Sequence, residues 1–208
     1  MNMTNVLFSL EGPIGVGKST ILSALQRRGY KVFPEPVHKW IPAINNFYQV
    51  KYDGTKEEMV DAAIRLQHVV IDSLIDRHEE ILKLPQTGEP IIMERSIYAA
   101  LCVFADINAR IYPNQEKWGE INKSMWEYTK LYEPDSKRIG LHHDKVDELI
   151  SRTRVRQGVD QFAKQAYLTE VYEQSLLFES ECTHIINVTG QNVDETVDHI
   201  INNIFTVV

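Results

Sequence analysis

Five short apolar segments, separated by stretches of helical pattern, predict an α/β fold: a parallel sheet of five strands flanked on both faces by helices. Two further observations support this. The third segment, 90–93, is short and continuously apolar, as strands of buried parallel sheets are. The first, 6–10, runs into a Gly-rich turn that opens a helix. No repeat, low-complexity tract or Pro/Gly/Ser linker divides the 208 residues, so a single domain over 1–208 is expected.

The elements follow in order. After the strand at 6–10, a helix spans about 18–28 and is closed by Gly29 just past its C-cap. A second short strand at 30–33 is stopped by Pro34 and Pro36. Thr55-Lys56-Glu57-Glu58 is a capping-box signal. It opens a long helix to about residue 84, with Met59, Ala63, Leu66, Val70, Leu74 and Ile81 near one stripe. The strand at 90–93 precedes helices at about 97–108 and 115–132, whose Trp118, Met125 and Trp126 read as core or subunit interface. A fourth strand at 138–141 is polar at its start. Helices at 144–154 and 159–179, a last strand at 184–188 and a last helix at 192–204 complete the chain.

The net charge of −7 gives no global field that attracts nucleic acid or an anionic membrane. An anionic ligand must therefore meet locally clustered cations. Cys102 and Cys182 lack metal-type spacing, so no zinc site is expected, and they read as free thiols in a reducing compartment. The apolar run 6–10 is too short for a signal h-region or a membrane span. A cytoplasmic or nucleoplasmic protein is expected, with the sequons at Asn2, Asn122 and Asn187 incidental.

Gly12-Pro13-Ile14-Gly15-Val16-Gly17-Lys18-Ser19 fits G-x-x-x-x-G-K-[ST], the P-loop, and Thr20 follows it. Its glycines let backbone approach phosphate oxygens, and its N–H groups form an anion-binding nest at a helix N-terminus. Lys18 supplies a point charge for the β- and γ-phosphates, and Ser19 a hydroxyl ligand for Mg²⁺. Strand before and helix after are the context the motif demands. This predicts nucleoside triphosphate binding without choosing a reaction. Asn122-Lys123-Ser124-Met125 lacks the Asp of a guanine-reading N-K-x-D. Glu35-Pro36-Val37-His38-Lys39-Trp40 follows the second strand and Glu94-Arg95-Ser96 the third, where carboxyl ends of parallel strands border the ligand crevice. Arg152-Thr153-Arg154-Val155-Arg156 lies between two predicted helices.

These segments, in this order, with Gln67 in the long helix and Glu94-Arg95-Ser96-Ile97-Tyr98, resemble the deoxynucleoside kinase family over most of the chain. The resemblance implies a three-layer P-loop kinase fold with an arginine-rich LID at about 152–160. It implies transfer of the ATP γ-phosphate to a deoxynucleoside 5′-hydroxyl with Mg²⁺, and a homodimer. Glu35 is then the general base, where the residues alone read equally as a solvated loop carboxylate. Arg95 holds the 5′-oxygen and the moving phosphoryl group, and Glu94 sits near Mg²⁺ through water. Arg154 and Arg156 match the LID R-x-R, alternatively a solvated basic helix end; Arg152 extends the cluster.

By the same resemblance Gln67 reads the base edge beside Val70, Trp40 and Phe104 sandwich the base, and either Tyr48 or Tyr52 contacts the sugar. As residues alone, a mid-helix amide reads rather as solvent-facing, and the aromatics, Phe104 in particular, more often as plain core. Leu74 and Ala100 match the family's specificity positions, and their apolar side chains resemble the thymidine-accepting members. The LID departs from the cellular pattern: Gln157-Gly158-Val159-Asp160 replaces a run of acids and looks closer to the herpesvirus pattern. Asp160 then stands in for the acidic partner of a LID arginine or of the sugar 3′-hydroxyl. The segment 187–191 is expected against the adenine, through backbone. Two rivals remain on sequence: a thymidylate or other nucleoside-monophosphate kinase, and a nucleotide-binding module with a dead site.

Overall fold

The computed structural model describes residues 4–157 and 161–207, except the side chains of 154–157, 161–165 and 207. The chain divides into two compact units: Met1–Pro34, Gln86–Ser96 and Asp135–Val208 form the first, Glu35–Pro85 and Ile97–Pro134 the second.

The first unit holds a five-stranded sheet: β1 (Val6–Glu11), β2 (Lys31–Phe33), β3 (Pro90–Glu94), β4 (Lys137–His142) and β5 (His184–Asn187), in the order β2-β3-β1-β4-β5. Every pairing is parallel, and the register sets Leu10 beside Glu94 and Glu11 beside Gly140. β1 is therefore central, and its carboxyl end adjoins those of β3 and β4. Phe8 and Leu10 enter a core with Leu22, Leu25, Ile139 and Val197. Ser9 and Glu11 alternate to the opposite face and are also buried. α1 (Lys18–Arg27) ends at Gly29, φ 94°, where Tyr30 N–H donates to Leu25 O and Gly29 N–H to Gln26 O. That paired closure is a Schellman motif, and it delivers Tyr30 onto the ring of Phe205.

The second unit is helical: α2 (Val37–Asp53), α3 (Lys56–Leu82), α4 (Ile97–Ala99), a π-helical stretch (Ala100–Ala105), α5 (Asp106–Ile111) and α6 (Gln115–Tyr132). The capping box forms as expected, with Thr55 Oγ1 accepting from Glu58 N–H and Glu58 Oε2 from Thr55 N–H. The helix ends at Leu82, before the expected 84. α2 is new, carrying Pro42 within it over residues for which the sequence signals no helix. Trp118 and Met125 are core, but Trp126 is 44% exposed, packed on the Tyr98 ring.

α7 (Val146–Gln157), α8 (Gln161–Phe178) and α9 (Val193–His199), followed by a π-helical stretch (Ile200–Ile204), complete the first unit. The arginine-rich segment thus falls in the last turns of α7 and not between two helices, a correction to the sequence reading. β5 stops at Asn187, one residue short of the expected end. Among the described residues, no helix is long and apolar enough to cross a membrane.

Candidate active site

In the first unit the P-loop is shaped by close backbone approach. Gly12 has φ 127°, and a Cβ there would lie 2.6 Å from Leu141 O. Gly15 has φ 86°, and its Cβ would lie 2.8 Å from Thr153 Oγ1 and 2.9 Å from Leu149 O. Real side chains fit neither position, so both glycines are dictated by β4 and α7 behind the loop. α1 starts at Gly17 with no side-chain cap and no acidic residue in its first turn. A helix start of that kind leaves its orphan N–H donors to an anion. Val16 is buried in the core beneath, and Thr20 is exposed on the first turn of α1. Lys18 is 5% exposed, and its Nζ donates to Gly12 O and Pro13 O at 3.0 and 2.9 Å.

Ser19 and Glu94, 75 positions apart, meet directly: Ser19 Oγ donates to Glu94 Oε1 at 2.8 Å. A hydroxyl and a carboxylate side by side at a phosphate loop are the hard oxygen donors that suit Mg²⁺. Arg95 follows, buried, with φ 61°. It is the single non-glycine residue of positive φ among the described residues, a conformation that costs about 1–3 kcal/mol. Such strain persists where surrounding contacts enforce it.

Arg152, about half exposed, pairs with Glu148 one helical turn earlier on α7. The side chains of Arg154 and Arg156 and all of Asp160 lie outside the described residues. At the end of β4, His142 Nδ1 lies 2.8 Å from Glu179 Oε1 and its Nε2 3.0 Å from Asp144 Oδ1. Burial alone would lower its pKa, but the two carboxylates outweigh burial and raise it. Asp144 also accepts from Asn187 Nδ2, and its N–H donates to Thr189 Oγ1, tying the segment after β5 to the start of α7. Burial chiefly pushes the Cys182 thiol pKa up to about 12.

In the second unit, Gln67 is 3% exposed in the middle of α3, which removes the solvent-facing reading. Its Nε2 lies 3.7 Å from Met125 Sδ. Leu74 and Ala100 are fully buried in one apolar cluster, against which Trp40 and Val70 pack. Trp40 Nε1 donates to Ser73 Oγ at 2.6 Å, which fixes the indole. Phe104 is half-buried on the π-helical stretch, one turn after Ala100. Of the two tyrosines, Tyr52 is 71% exposed, whereas Tyr48 is half-buried with its pKa raised by burial and then by Tyr52. Glu35 is half-buried and opens this unit two residues after β2.

Four residues, Ser73, Glu133, His78 and Glu11, were not singled out by the sequence. Ser73 holds Trp40. Glu133, 3% exposed, accepts from Ile97 N–H at 2.7 Å and Tyr98 N–H at 3.3 Å, filling the first turn of α4. His78 approaches the same carboxylate, Nε2 to Oε1 2.9 Å, while its Nδ1 lies 2.7 Å from Leu74 O. Glu11 is the fourth; its one sequence mark is a charge closing an apolar strand.

The family model of the deoxynucleoside kinases matches residues 8–206. The chain belongs to the deoxynucleoside kinase family.

Two viral proteins are similar to this deoxynucleoside kinase family member. The "Thymidine kinase" of Ictalurid herpesvirus 1 (strain Auburn) is 32% identical over 108 residues, covering 50% of this chain and 42% of the viral protein. The match therefore spans less than half the length of that relative. The "Putative kinase protein 143R" of Invertebrate iridescent virus 6 is 27% identical over 200 residues, 92% of each chain. The five-stranded parallel sheet flanked by helices agrees with the P-loop kinase fold that the resemblance implies.

Proposed function

We propose that this protein is a deoxynucleoside kinase that transfers the γ-phosphate of ATP to the 5′-hydroxyl of thymidine, deoxycytidine or both, in nucleotide salvage. The observation that carries the reading is the Ser19–Glu94 contact at 2.8 Å beside the buried Lys18 and the strained Arg95. It supports one cluster that holds a triphosphate, a Mg²⁺ ion and the moving phosphoryl group. Ser19 and Glu94 would hold Mg²⁺, which would supply charge neutralisation for the phosphates.

The chain's own residues then divide the work. Gly12, Gly15, Val16, Gly17 and Thr20 present backbone donors to phosphate oxygens, with Lys18 as the local charge. Glu35 accepts the proton of the 5′-hydroxyl, and Arg95 aligns the acceptor oxygen. Arg152, Arg154 and Arg156 close over the nucleotide as a LID, with Asp160 as an acidic partner. Gln67 reads the base, Trp40 and Phe104 flank it beside Val70, and the half-buried Tyr48 suits the sugar better than the exposed Tyr52. Leu74 and Ala100 carry no charge into the apolar cluster and leave room for a thymine methyl, a fit worth about 1–3 kcal/mol. The single catalytic domain over 1–208 is supported by the extent of the family match, 8–206. A homodimer is supported by the exposed Trp126 and Leu131 of α6.

The acceptor is tested with 5′-deoxythymidine, which lacks the attacking oxygen. It is expected to compete with thymidine and receive no phosphate. Label transfer to it from γ-labelled ATP would mean that another hydroxyl is the acceptor.

A further inference from the structure

Glu11 stands at the carboxyl end of β1, immediately before the P-loop, and is 1% exposed. The phosphate-binding role of the loop does not use it. Its Oε1 accepts a hydrogen bond from Ser96 N–H at 2.9 Å. Its Oε2 is buried with no hydrogen-bond partner among the described residues. A buried carboxylate with an oxygen left over costs stability, so its presence calls for a compensating role.

The turn it touches suggests that role. Ser96 is fully buried, and the residue before it is Arg95, in left-handed backbone. The Arg95 N–H donates to Leu10 O at 3.0 Å. The amides on both sides of the strained residue are thus held by consecutive residues of β1, the first by a backbone carbonyl and the second by the Glu11 carboxylate. Leu10 O is present whatever side chain stands there; the Ser96 bond depends on residue 11. A charged acceptor makes that bond about twice as strong as a neutral one. Without it, Ser96 loses this acceptor and Arg95 is free to relax toward ordinary backbone, which re-aims the guanidinium.

We infer that Glu11 is a positioning residue for the reaction: by binding Ser96 N–H it locks the left-handed turn that aims Arg95. The inference rests on the proposed role of Arg95 in phosphoryl transfer. It predicts that Glu11→Ala lowers kcat roughly 100-fold, since a displacement of about 1 Å of a positioned group costs that much. The KM for the nucleoside should stay close to parental. Glu11→Gln keeps an acceptor oxygen and should recover kcat to within about tenfold of the parent, the residue of difference reflecting the lost charge.

The experiment measures kcat and KM for E11A, E11Q, R95K and the double variant E11A/R95K, each checked for its melting temperature. The expected result is a kcat loss in E11A, recovery in E11Q, and a double variant no slower than R95K, since Glu11 acts through Arg95. An E11A penalty that persists undiminished in the R95K background would overturn the inference, as would E11Q as slow as E11A. If E11A does not fold, E11Q and its double variant with R95K carry the same comparison. Parental activity in R95K together with Arg95→Ala would instead sink the role of Arg95 itself, which separates the two failures.

Discussion

Glu35→Gln is expected to lower kcat by about 10²–10⁴, the range that a general base contributes, while nucleoside binding survives. The amide has the shape of the carboxylate but does not take a proton from the 5′-hydroxyl. Glu35 is half-buried and stands two residues after β2 in the chain. Steady-state kinetics of the variant, paired with equilibrium binding of thymidine, separate the two effects. Parental kcat in E35Q removes the general-base role. Lost binding with intact kcat would make Glu35 a sugar ligand instead.

The second large effect is at Lys18. Lys18→Ala is expected to lower kcat by about 10²–10³, the usual cost of deleting one fixed donor to transition-state charge. In the structure its ammonium is nearly buried and satisfied by Gly12 O and Pro13 O. The loop's own carbonyls thus fix the position of the charge within the loop. Lys18→Arg should not rescue, because a planar fork cannot replace a point charge in a closed loop. Retention of more than half the parental kcat in K18A would contradict phosphate binding by this loop.

Local chemistry made much of the fold legible. The capping box at Thr55 and Glu58 and the closure at Gly29 are settled by neighbours within a few residues, so the sequence displays them. α2 shows what is lost otherwise. Pro42 inside it is a helix breaker, and no α2 residue is fully buried, so no apolar stripe stands out. The helix is held by tertiary contact: Trp40 bonds to Ser73 of α3, and Phe47 meets Tyr112 edge-on at 5.4 Å. The π-helical stretch at Ala100–Ala105 likewise has no sequence mark.

The site divides in the same way. Lys18 and Ser19 stand in a contiguous motif that the sequence displays whole. Glu94 was legible as a carboxylate after a strand, but its contact with Ser19 depends on strand order, which brings β3 beside β1. Glu11 and Glu133 act on backbone amides far along the chain, and a backbone amide leaves no trace in the residue types. The buried state of Gln67 settles on tertiary grounds what its helix position left open between solvent and interior.

ATP-dependent phosphorylation of the four natural deoxynucleosides and of dTMP, side by side with Mg²⁺, tests the central claim most directly. Turnover of thymidine, deoxycytidine or both is expected, ranked against the purine nucleosides by the same assay, with dTMP inert. Turnover of dTMP alone would contradict that claim: the acceptor would then be a phosphate, and Glu35 would have no hydroxyl proton to accept.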